Sequence, residues 1–502
     1  MSGLTSETLI LLALGLPALG ALGIAVAGRI PNLREAVTLG TAAATFAAVM
    51  TLLGRVLDGE RPAAGGWEVF AGIEIAFHVE PLGMLFGTIA SGLWIVNSIY
   101  SIGYMRGNDE PRQTPYYICF AVAISSAIGV AFAGNLFTLF LFYEILTIST
   151  YPLVAHRGND EARAKGRIYL VLLLATSMML LLPAIVWTWV AAGRADFAPG
   201  GILATAGLST GAVGLLLALY IFGIGKAAVM PVHFWLPAAM VAPTPVSALL
   251  HAVAVVKAGV FTVVKVVVYV FGIDFLAASG ANQLLIYVAG GTVILASLVA
   301  MTKDNLKARL AYSTVSQLAY VVVGALLATP YGILGSGLHI AMHAVGKITL
   351  FFCAGAIYTV AHKTEISEMA GLGRKMPFTF IAFLIGALSI IGLPPTGGLW
   401  SKWYLALGTL DSSQLFVLAT LMLSSLLNVA YLLPIPFRAF FGDRPPDEGR
   451  PGDFPEEQNP GSKIHEAPLP CLIAIGLTAI GCIVLFFLPG PIFDLLAQIP
   501  LK

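Results

Sequence analysis

The chain has 502 residues, 58% of them hydrophobic and only 11% charged, with a formal net charge of +1. An ordinary soluble domain carries about a quarter charged residues, so a water-facing surface of the usual kind is excluded, and so little net charge argues against a nucleic-acid partner. Apolar runs of about 20 residues, enough to cross a bilayer, recur from end to end. The composition therefore predicts an all-α polytopic membrane protein whose solvent is the lipid bilayer.

No Lys or Arg precedes the first apolar run. A secretory signal needs a basic leading segment, so this run is expected to be a retained first span. Apolar runs set against polar breaks then predict fourteen spans in order: 7–27, 34–56, 82–103, 116–133, 135–156, 167–192, 212–243, 245–272, 284–302, 306–328, 331–360, 378–410, 416–437 and 468–496. Spans 7 and 12 exceed 30 residues, roughly 48 Å of helix against about 30 Å of hydrocarbon. Pro231 interrupts one; Pro394 and Pro395 interrupt the other. Both are expected to be discontinuous helices.

Lys and Arg in the connections set the orientation. Connections after spans 1, 3, 5, 9, 11 and 13, counted to the adjoining span edges, hold 18 of them, whereas the opposite side holds Arg55, Arg61 and Arg194. The basic side faces the cytoplasm in a cell (inner or plasma) membrane, which puts both termini outside it. The long connection 438–467, rich in Pro and acid, belongs on the cytoplasmic side.

The chain also repeats itself faintly. NLFTLFLFYEILTISTY at 135–151 is echoed 170 residues later by NLKARLAYSTVSQLAYV, while Pro231 and Trp235 recur as Pro395 and Trp400 at offsets of 164 and 165. These offsets map span 5 onto span 10 and span 7 onto span 12. Five spans is an odd number, so the two copies have opposite topology, a pattern found in transporters. The expected division is an N-terminal three-helix segment (1–115), a first inverted repeat (116–272), a second (273–443), and a cytoplasmic loop with the last helix (444–502).

Ionisable groups inside the spans point to function. Lys226, Lys257, Lys265, Lys347 and Lys402 lie within spans, and Glu144 is the one acid expected deep in a span. Such a group costs at least about 2.5–3.5 kcal/mol to insert and usually marks an ion path. Each also has a structural alternative, an ion pair or polar plug between helices. For Lys265, near a span end, the structural role is the expected one, and its removal is expected to be mild. His339, His343 and Lys347, spaced i, i+4, i+8, stack along one helix face. Imidazoles titrate near neutrality and so can pass protons. His251 is expected to bridge Lys226 and Lys257. The break at Pro231 frees carbonyls that help to hydrate the Lys226 ammonium, with Glu144 as its expected counter-charge.

Other chemistry is not expected. GIGKAA at 223–228 fits a dinucleotide fingerprint but lacks a preceding strand, and GKIT at 346–349 lacks phosphate-loop spacing. His at i and i+4 would suit zinc, but no second ligand cluster accompanies it. Cys119, Cys353, Cys471 and Cys482 lie in apolar segments without CxxC spacing and are expected to pack. No cofactor is predicted.

The stretch GKAAVMPVHFWLPAAMVAPTPVSALLHAVAVVKAGVF (225–261) closely resembles the antiporter-like subunits of respiratory complex I and the Mrp-type cation/proton antiporters. FLFYEILTISTYPL, LHIAMHAVGKITLFF and GLPPTGGLWSKWYL extend the resemblance along nearly the whole chain. The resemblance implies a proton path in which Glu144 and Lys226 form the opening pair and Lys257 is the central relay. His251, His339, His343 and Lys347 would continue it, with Lys402 as the terminal exchanging group. The length resembles that of the Mrp D subunit, implying protons and Na⁺ as cargo and other membrane subunits as partners. A complex I or membrane-bound hydrogenase subunit is the alternative.

Overall fold

A computed structural model describes residues 3–70, 72–442 and 464–501. Most of the expected 438–467 loop, residues 443–463, lies outside the described residues. Helix occupies most of every expected span. Among the described residues, eleven helices are long and apolar enough to cross a membrane. The remaining segments are the halves of the two broken spans and Leu306–Leu326, which opens on Lys307 and Arg309.

Helix starts follow local chemistry. The side chains of Thr5, Glu80, Asn135, Asn159, Ser209, Asn305 and Thr329 each accept a hydrogen bond from a first-turn N–H. Those donors have no partner within the helix, and leaving them bare near hydrocarbon would be costly. Pro31, Pro81, Pro330 and Pro377 open other helices or share these starts, where a missing N–H costs nothing.

Burial separates the axis of the molecule from its rim. Thr244–Phe271 is buried across the whole of its spanning window and Pro330–Ala361 across 94% of it, against 33% for Pro31–Leu57 and Leu469–Phe487. The two helices carrying Lys257 and the His339–Lys347 row are therefore central. Rim helices turn Leu19, Leu22, Val190, Leu426 and Leu469 outward, as lipid-facing positions require.

Both predicted breaks are present, with a correction at the first. Helix Thr210–Gly223 stops eight residues before Pro231, and Lys226 lies inside the break, in the 3₁₀ turn Gly225–Ala227. The chain is closely packed at the stop: a Cβ on Gly223 or Gly225 would overlap Leu181 or Thr176. The chain resumes as helix at Val232. In the second broken segment Pro377–Ile391 gives way to Gly398–Asp411.

Matched details recur at the predicted offset. Asn135 caps Leu136–Val154 and forms a strand-like bridge with Asp196; Asn305 caps Leu306–Leu326 and bridges Glu365.

Two features lie outside the expectation from sequence. Residues between expected spans 2 and 3 form an antiparallel hairpin, Ala63–Phe70 with Ile73–His78, tied to the helices by a bridge from Phe77 to Ala133. Three π turns interrupt helices: Ser177–Leu181, Leu249–Val253 and Val267–Phe271. The second contains His251, and π turns often accompany functional sites.

Candidate functional site

The Lys226 ammonium is fully buried and donates to the Tyr143 carbonyl (2.8 Å) and the Thr147 hydroxyl (2.6 Å). It lies 3.1 Å from the centre of the Tyr143 ring. The Trp235 indole N–H donates to the Gly225 carbonyl (2.9 Å), satisfying one backbone group freed by the break. Glu144 is the next residue on the same helix and is 8% exposed; neither carboxylate oxygen has a hydrogen-bond partner. Lys226 and Glu144 are thus neighbours in charge but not a contact ion pair: the expected pair is open here, because Tyr143 and Thr147 hold the ammonium instead.

The central helix presses directly on this turn. A Cβ on Gly259 would overlap the backbone of Lys226 and Ala227. Gly259→Ala is therefore expected to displace Lys226 and to lower transport by about 10- to 100-fold, since ångström-scale misplacement of a reacting group costs on that order. Proton uptake into vesicles, corrected for the amount of assembled protein, checks this.

Two residues before Gly259, the Lys257 ammonium lies 2.7 Å from Nδ1 of His343. Both groups are buried, and they come from the two central helices. His343 and His339 face each other with ring centres 5.8 Å apart. His339 meets the Ser401 hydroxyl through Nδ1 (2.9 Å) and stacks on Tyr320 at 5.5 Å. Tyr320 also lies 5.0 Å beneath the Lys402 ammonium. Lys402 donates to the Ile391 carbonyl (2.9 Å), the last helical residue before the second break, and to Ser425 (3.0 Å). At the other end of the row Lys347 donates to Ser313 (2.7 Å) and the Leu310 carbonyl (3.2 Å).

His251 departs from its expected place. Neither ring nitrogen has a partner, and the ring packs on Phe351 at 4.8 Å, one turn beyond Lys347. The π turn carries it toward the basic-loop end of the central helix, so it does not bridge Lys226 and Lys257.

The family model described as NADH:quinone oxidoreductase/Mrp antiporter, TM, matches residues 133–428, more than half the chain and every ionisable group above. The chain belongs to this family. It is 31% identical over 425 residues to NADH-quinone oxidoreductase subunit N of Desulforudis audaxviator, covering 84% of this chain and 83% of that one. It is 28% identical to a Na⁺/H⁺ antiporter subunit of Alkalihalophilus pseudofirmus, over 84% of this chain and 54% of that longer one. The chain spans only about half the length of several such relatives. Its fold matches a chain in the structure of the Mrp complex from Dietzia sp. with a TM-score of 0.86 at 22% identity, over 99% of this chain and 97% of the other.

This antiporter-like subunit contains a second buried charge cluster that sequence reasoning missed in part. Lys265, expected to act structurally, is fully buried in an ion pair with Glu80 (3.2 Å) and donates to the Ala133 carbonyl (2.8 Å). Glu80 also accepts from the N–H groups of Leu82 and Gly83 and from the Tyr269 hydroxyl. It lies just ahead of expected span 3, where Pro81 after it, in a helix-start pattern, is the signal present in the sequence. At the opposite, basic-loop end an open cleft of about 360 Å³ is lined by Tyr104, Arg157, Lys165, Thr244 and Lys307, among others. Behind Arg157, in the turn that follows helix Leu136–Val154, burial pushes the His156 imidazole down to about 4, so it is neutral beside Glu110.

Proposed function

We propose that the chain is the proton-translocating subunit of a multi-subunit secondary Na⁺/H⁺ antiporter, of the Mrp D type. The observation that carries this reading is the buried Lys257–His343 contact at 2.7 Å, with Lys347 on one side and His339 and Lys402 on the other. The path runs through Glu144, Lys226, Lys257, His343, His339 and Lys402, with Lys347 and His251 beyond His343 toward the basic-loop end, on the two five-span repeats 116–272 and 273–443.

The chain's residues supply a gate and a relay. At about 4 Å the Lys226 ammonium and the Glu144 carboxylate would attract by about 4 kcal/mol at an effective dielectric of 20. Moving one charge through 100 mV involves about 2.3 kcal/mol. Opening and closing this pair therefore matches the membrane potential in size. A charge arriving at Lys226 repels the proton on Lys257, which can pass to His343 Nδ1 when that nitrogen is unprotonated. His339 and Lys402 lie beyond it. The chain lies in the cell membrane with its basic connections in the cytoplasm and both termini outside, among other membrane subunits.

Na⁺ binds largely elsewhere. A hard cation exchanges its water for several oxygen ligands, whereas the deep groups here are mainly lysine and histidine. One carbonyl at each break is already engaged by an indole or ammonium donor, Gly225 by Trp235 and Ile391 by Lys402. The full chain reconstituted alone in liposomes is expected to show little uptake of radiolabelled Na⁺ driven by a pH gradient. Robust uptake that Lys226→Ala removes would place both ions in this chain.

A second reading, a proton-pumping subunit of a complex I-like oxidoreductase, is supported by the 31% identity to subunit N. Co-purifying subunits decide between the two readings: small antiporter subunits support the first, flavin and iron–sulfur subunits the second.

A further inference from the structure

Gln317 is the middle residue of a polar stripe on Leu306–Leu326 and is fully buried, yet neither its amide oxygen nor its amide nitrogen has a hydrogen-bond partner among the described residues. Leaving a buried polar atom unpaired is costly, so an amide with both ends bare needs an explanation. Its neighbours on the stripe are not bare. Ser313, one turn before it, holds Lys347, and Tyr320, one turn after it, stacks on His339.

These contacts fix how helix Leu306–Leu326 runs against Pro330–Ala361. Ser313 meets Lys347, Tyr320 meets His339, and the Val321 carbonyl meets Ser336 (3.0 Å), an antiparallel register. Gln317, four residues after Ser313, therefore lies level with His343, four residues before Lys347. His343 has its own bare atom there. Its Nδ1 is engaged by Lys257, while Nε2 has no partner. Three unpaired polar atoms at one level of a buried interface make a site for water, which needs two to four polar partners.

We propose that Gln317 is a positioning residue of the proton path: with His343 Nε2 it holds the water that connects the Lys257–His343 contact to the rest of the row. The amide changes no protonation state. It orients water through one donor and one acceptor, so that a proton leaving Nε2 of His343 passes to the water oxygen as the water releases one of its own. This inference rests on the relay reading above, and the test separates the two.

Three variants are compared in the membrane complex purified through this chain and reconstituted in vesicles: Gln317→Leu, Gln317→His and Lys257→Ala. Initial rates of proton movement are measured per assembled complex, with thermal stability in detergent alongside. Gln317→Leu is expected to lower the rate about tenfold or more, the scale of a lost positioned proton-transfer partner. Its thermal stability is expected to change little, because the amide makes no direct hydrogen bond to another described residue. Gln317→His, whose neutral ring keeps one donor and one acceptor, is expected to retain most of the rate. A wild-type rate in Gln317→Leu, equal loss in the Leu and His variants, or failure of Gln317→Leu to assemble would each overturn the proposal. If Lys257→Ala transports normally, the relay itself falls. If Lys257→Ala is inactive while Gln317→Leu is unaffected, only the role of Gln317 falls.

Discussion

Glu144→Gln is expected to abolish proton transport while the protein still inserts and assembles. The carboxylate is 8% exposed and neither oxygen is hydrogen-bonded within the described residues, so no helix contact depends on its charge. Lys226 is held by the Tyr143 carbonyl and Thr147, and these bonds survive the substitution. A neutral isostere thus removes the attraction that would draw the ammonium out, about 4 kcal/mol at contact, and little else. Replacing an unpartnered buried charge by a neutral group also lowers the cost of folding. Glu144→Asp is expected to keep partial activity, because the charge remains with a reach shorter by one methylene. Proton flux into vesicles, per amount of assembled protein, is the measurement; a wild-type rate for Glu144→Gln would refute the gating role.

Lys257→Ala and Lys265→Ala are expected to fail in different ways, although the two lysines lie on one helix. Lys257 meets a single imidazole nitrogen, and its loss should stop transport with a modest effect on stability. Lys265 neutralises Glu80, which is fixed at a helix start by two backbone N–H groups and the Tyr269 hydroxyl. Removing one partner of a buried pair strands the other, at about 3–5 kcal/mol. To the mild effect on proton passage expected from sequence, the ion pair adds an expected loss of stability, read as reduced yield and a lowered melting temperature in detergent. Lys265→Met combined with Glu80→Gln should recover much of that loss, since a neutral pair leaves no stranded charge. Equal stability of the single and double variants would show that the Glu80 charge is not what destabilises Lys265→Ala.

The sequence by itself determined the spans, the two breaks and the identity of most deep ionisable groups. A bilayer makes these local properties: an apolar run must become helix, a run too long for the hydrocarbon with proline inside it must break, and a charge within it is rare enough to notice. The tertiary structure decided what each charge touches. Lys226 meets Tyr143 and Thr147 from about 80 residues away, and Lys257 meets His343 from 86 residues away. Such pairings depend on which helix faces pack together, and no spacing in the chain encodes that. The same holds for the π turn that moves His251 out of line, for the Gly259 contact that seats Lys226, and for Glu80, a loop acid until its helix docks against Lys265. Gln317 is the sharpest case: an amide in a span carries no charge to draw attention, and only its packing leaves both ends without a partner among the described residues. The bilayer acts on one segment at a time and so is legible residue by residue; packing acts between segments and is not.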